Sequence, residues 1–73
     1  MPHYKKREFL IKILNRISGL HQMQIIDTDT KNKLTELTKQ GKKDRYDGLY
    51  RYIKGLENQD EKLTEICDWI LFE

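Results

Sequence analysis

The feature that most constrains this 73-residue chain is the recurrence of Leu, Ile and aromatic residues at intervals of three and four, with no proline among them. A helix turns about 100° per residue, so that spacing gathers apolar side chains on one face, whereas a half-buried strand requires strict alternation. The only proline, Pro2, precedes every such stretch, and Ile25-Ile26 is an isolated β-branched pair. The pattern predicts an all-α fold: a small compact bundle of about four helices, within bounds of three to five.

The first helix is expected from about Tyr4 to Ser18, with Gly19 as its stop and Leu10, Ile13, Leu14 and Ile17 on one side. Phe9 and Ile11 flank that stripe and widen the apolar arc to roughly 200°, against the roughly 100° of an ordinary surface helix. This predicts a central helix contacted from two directions. Residues 20–26 are expected to form a short helix rather than a strand. Asp27-Thr28-Asp29-Thr30 then offers N-cap residues to a helix whose sparse inner face, Leu34 and Leu37, implies the weakest commitment to the core before Gly41 ends it.

A fourth helix is expected from near Asp44, with Tyr46, Leu49, Tyr50, Ile53 and Leu56 as its inner stripe and Gly55 and Asn58 at its end. The last, over about 59–72, is expected to start from a capping box of Asn58 and Glu61 and to bury Leu63, Ile66, Cys67 and Ile70. No repeat or Ser/Pro-rich linker divides the chain, so residues 1–73 are read as a single helical domain. A chain this short buries only about 60% of the surface its unfolded form exposes, so the core must be thin.

The net charge of +2 conceals a division along the chain. Residues 1–54 carry 13 Lys/Arg against 6 Asp/Glu, a balance of +7, while residues 55–73 carry one Lys against 6 acids, a balance of −5. Such asymmetry fits a basic binding face, an internal charge match or pairing between copies. The lone Cys67 cannot form an internal disulfide and no secretory leader is read, which points to a reducing compartment and so to the cytoplasm. The apolar runs at Phe9–Ile11 and Trp69–Phe72 fall far short of the roughly 20 residues of a membrane-spanning helix, so no membrane association is expected.

Catalytic chemistry finds no foothold in the residue spacing. His3, His21 and Cys67 are the only soft or imidazole-type metal ligands, and none stands in a paired spacing, so neither metal nor cofactor is expected. A Cys67–His21 nucleophile pair is equally remote in sequence, and Cys67 falls within an apolar stripe, where a free cysteine packs as a small hydrophobe. Asp27/Asp29 and Asp60/Glu61 stand where helix starts require acceptors. The four glycines are isolated, so no phosphate-cradling loop is formed. The chain is read as a non-enzyme.

Binding is what remains. Trp69 and Phe72 project 120–180° from the stripe of the last helix, and Tyr52 projects about 120° from that of the fourth, beside Arg45. Exposed aromatics with arginine are favoured interface anchors, so Trp69, Phe72, Tyr52 and Arg45 form the candidate surface for a larger protein partner, or for a second copy of the chain. The alternative is nucleic acid. Lys5, Lys12 and Arg16 share a side of the first helix, and Lys42, Lys43 and Arg45 cluster near the start of the fourth; together they make a basic face. Phe9–Ile13 resembles the opening helix of small Hha-type nucleoid modulators, and Gly48–Ile53 resembles a stretch of a phage anti-sigma protein. These resemblances cover five and six residues and assign no residue a role.

Overall fold

In a computed structural model, residues 6–72 are described and fold into helices joined by short turns, with no strand among them. The helices are α1 (Lys6–Gln22), α2 (Thr28–Lys39), α3 (Gly41–Asp44), α4 (Asp47–Gly55) and α5 (Glu61–Phe72). His3, Lys5 and the expected helix start at Tyr4 lie outside the described residues. The four longer helices close into a ring in which α1 packs on α2 and α5, and α4 also packs on α2 and α5. The all-α bundle of about four helices is thus the observed fold, with α3 a single turn inserted between α2 and α4.

Helix α1 is contacted from two directions, by α2 and by α5, as its wide apolar arc implies, but as one member of the ring and not at its centre, and it does not stop at Gly19. Its buried stripe is Phe9, Ile13, Ile17 and Leu20, so the demand for core contact carries the helix one turn past the glycine. It ends in a Schellman motif: Gln24 N–H donates to His21 O at 3.0 Å and Ile25 N–H to Leu20 O at 2.9 Å, with Gln24 left-handed at φ 60°. The short helix expected over residues 20–26 is therefore the end of α1 followed by a turn. Ile25 and Ile26 both pack against the core from that turn.

Asp27 caps α2 as expected, accepting from Thr30 N–H at 2.8 Å. That bond holds its carboxyl below the ordinary aspartate value. Helix α2 is more deeply committed than its two leucines suggested. Leu34 is fully buried and so is Thr38, whose hydroxyl donates to Leu34 O at 2.7 Å and thereby leaves a methyl-bearing side chain able to enter the core.

The expected start of the fourth helix is broken in two. Arg45 and Tyr46 are both left-handed, with φ of 53° and 64°, and they separate α3 from α4. Asp44 still serves the helix start, because its two carboxylate oxygens accept from Tyr46 N–H at 3.1 Å and Gly48 N–H at 3.0 Å. The break turns the Tyr46 ring inward, edge-on to Phe9 with 5.1 Å between centroids, and lays it directly over Gly41. A Cβ on Gly41 would stand 2.1 Å from Tyr46 Cε1, so only glycine lets the ring lie there.

At the start of α5, Asp60 rather than Asn58 is the cap, accepting from Lys62 N–H at 2.8 Å. Asn58 accepts from Asp60 N–H at 3.0 Å through its side-chain oxygen and donates from its amide nitrogen to Ile25 O at 2.8 Å, which ties the α4–α5 link to the turn after α1. The core then closes on Leu49 and Ile53 from α4 and Leu63, Ile66 and Cys67 from α5.

The glycines yield a paired prediction. Gly19 is helical with open space where its Cβ would be, so Gly19→Ala should stabilise the domain by about 0.5–1 kcal/mol through lost unfolded-state freedom. Gly41→Ala should destabilise it by about 1–3 kcal/mol by driving Tyr46 off Phe9. Thermal melts of the two variants should move in opposite directions.

Candidate functional site

The last helix carries the two most exposed large apolar side chains among the described residues, Leu71 and Phe72. Its stripe of Leu63, Ile66, Cys67 and Ile70 is taken up by the bundle. Glu61, Glu65, Asp68 and Phe72 fall within about 60° of one another on the opposite face, and all four are exposed. Phe72 is 84% exposed and the adjoining Leu71 64%, the two most exposed large apolar residues described. The outer face of α5 is therefore an acidic ridge that ends in an apolar tip. Leu71 was not among the expected contact residues. Its signal lay in the run Trp69-Ile70-Leu71-Phe72, where it stands about 90° from the buried stripe.

Trp69 is placed differently from Phe72. Lys12 Nζ lies 4.2 Å and Arg16 Cζ 4.7 Å from its ring centroid, and the ring is partly buried against the core. Arg16 also donates from Nη1 to Lys62 O at 2.8 Å and to Glu65 Oε1 at 2.6 Å. The pairs Lys12–Trp69 and Arg16–Glu65 run in opposite order along the two helices, so α1 and α5 are antiparallel. This is an internal charge match. The positive first helix and the acidic last one are joined across a seam in which each cation over the indole contributes on the order of 0.5–1 kcal/mol.

That seam takes apart the two sets of residues singled out from the sequence. Lys12 and Arg16, expected on the side away from the core, are half-buried against α5, with the Arg16 side chain only 25% exposed. Lys5 lies outside the described residues. Tyr52 is half-buried and packs on the core. Arg45 is exposed but sits in the break before α4, so it does not share the helical register that was to place it beside Tyr52. Of the expected contact set, Phe72 and Arg45 are open, and they lie on different elements; of the basic set, Lys42, Lys43 and Arg45 are open and adjacent.

Nothing in the described residues brings reactive groups together. Cys67 is buried, its thiol is pushed up by desolvation, and its Sγ lies 3.9 Å from Tyr50 O. Among the described residues no three His, Cys, Asp or Glu side chains stand close enough to share a metal. An open depression of about 530 Å³ is lined by His21, Gln22, Gln24, Ile26, Asp27 and Thr28. There His21 Nε2 is bonded to Thr28 Oγ1 at 3.1 Å, and Asp27 Oδ1 accepts from Thr30 N–H at 2.8 Å. No described helix is long and apolar enough to cross a membrane. Comparison with protein-family models, curated proteins and solved structures finds no match to the chain.

Proposed function

We propose that this chain is a small non-enzymatic binding module, an inhibitor, adaptor or regulator that acts by docking the tip of α5 onto a larger protein. The observation that carries this reading is the exposure of Leu71 and Phe72 on a helix whose opposite face is fully engaged by the bundle. Side chains of this kind contribute nothing to the core, and clustered large apolar groups at a surface characterise interfaces. The carboxylates of Glu61 and Asp68 on the same ridge specify the partner's chemistry: an apolar pocket rimmed by Lys or Arg. The lone buried thiol suits a reducing compartment, and we place the module's action in the cytoplasm.

Photo-cross-linking in the native host tests this reading. A benzophenone side chain at position 72 should join the module to one discrete larger protein, whereas the same group at Asn32, exposed on α2, should not. Cross-linking of the module only to itself would replace the larger partner with a second copy. Equal labelling from both positions would remove α5 as the docking element.

A further inference from the structure

The corner between α2 and α4 carries a second surface of different chemistry. Lys39, Lys42, Lys43 and Arg45 are all exposed there within seven residues, and none takes part in an ion pair among the described residues. The one acid in the run, Asp44, leaves the corner a net charge of +3 and forms no ion pair with its cations. Both of its oxygens are turned back onto the N–H groups of Tyr46 and Gly48. Arg45 is held in the left-handed region, which costs a non-glycine residue on the order of 1 kcal/mol, and it persists because the Tyr46 ring beside it is locked over Gly41 and against Phe9. The four cations are thus displayed from the end of α2, from α3 and from the braced break that follows it rather than from a loose loop.

We propose that this corner binds the sugar–phosphate backbone of nucleic acid. The reading goes beyond docking through α5, and it uses a part of the molecule that does not touch that helix, since α3 packs on α2 and α4 alone. Its surroundings discriminate among anionic partners. The one large apolar group of the corner, Tyr46, is turned inward, so there is no apolar centre of the kind a protein interface needs and no apolar face to enter a lipid surface. Three lysines and one arginine with no exposed aromatic beside them suit a repeating phosphate charge and offer bases no stacking platform. Binding should therefore be independent of sequence and dominated by counterion release.

Fluorescence anisotropy with a labelled duplex of about 20 base pairs, in KCl from about 20 to 200 mM, provides the test. With three to four phosphates neutralised, log affinity should fall with log salt at a slope of about −2.7 to −3.6. The variant K42Q/K43Q/R45N, in which Asn suits the left-handed position, should lose about 2.7 from that slope and most of the affinity, with an unchanged melting curve. The control R7Q/K33Q/K54Q removes equal charge elsewhere and should retain the slope. Equal losses in both variants, or no binding at the lowest salt, would overturn the proposal. Tighter binding to vesicles rich in phosphatidylserine, or equal competition by polyglutamate, would overturn it in favour of a lipid or acidic-protein partner.

Discussion

Ile13→Asp, and separately Ile53→Asp, should leave the chain unfolded at room temperature. Both side chains are fully buried at the centre of the bundle, Ile13 on α1 and Ile53 on α4. Neither has a cation within the core to pair with a carboxylate. An aspartate there would remain charged without solvent, or take up a proton and lose the isoleucine's packing; either outcome costs several kcal/mol. A domain of this length has only about 4–11 kcal/mol of total stability, and a thin core puts it toward the lower end. Ile11→Asp supplies the control on the same helix: Ile11 is 44% exposed and points away from the core, so its melting curve should stay within about 0.5 kcal/mol of the parent. Far-ultraviolet circular dichroism should show the helical signal lost in the two core variants and kept in the third.

Helices were legible in this sequence wherever one face is uniformly apolar. The register of α4 and α5 followed from Leu49, Ile53, Leu63, Ile66 and Cys67; the stretch Asp27–Thr30 held the cap of α2 and Asp44 serves an N–H of the first turn of α4, while the cap of α5 is Asp60 and not Asn58. What escaped were features set by contacts between elements. Gly19 reads locally as a stop, but Leu20 lies one turn further along the same buried stripe, and its burial outweighs the cost of a helical glycine, about 1 kcal/mol. Thr38 reads as polar, and only the bond to Leu34 O makes it a core residue. The left-handed pair Arg45–Tyr46 has no local signature, since neither residue favours that region; Phe9 and Gly41, distant from each other in sequence, create the slot that holds Tyr46.

The candidate site was legible to the same degree and failed for the same reason. Angular position correctly set Phe72 and Trp69 off the buried stripe of α5, but angle alone does not reveal what stands opposite. Opposite Trp69 stand Lys12 and Arg16, so the indole belongs to the seam between α1 and α5. The split of charge between the two parts of the chain was a sign of that seam. Removing Trp69 should therefore cost stability, and the docking surface proposed for α5 rests on Leu71 and Phe72.

The double change Leu71→Ser with Phe72→Ser tests the central claim, that the tip of α5 serves binding and not folding. Each side chain is mostly solvent-exposed, so its loss removes little buried area from the folded state. In a complex, two such groups seated in a pocket act as hot-spot residues, and their combined removal should weaken binding by about a hundredfold, or about 2.8 kcal/mol at about 1.4 kcal/mol per decade. The decisive measurement compares the melting midpoint of the free variant with its affinity for the partner cross-linked through position 72. A midpoint within about 2 °C of the parent together with a hundredfold loss of affinity is the predicted result. A fall of about 10 °C or more in the midpoint would show that the tip of α5 belongs to the fold, and unchanged affinity would show that the partner docks elsewhere.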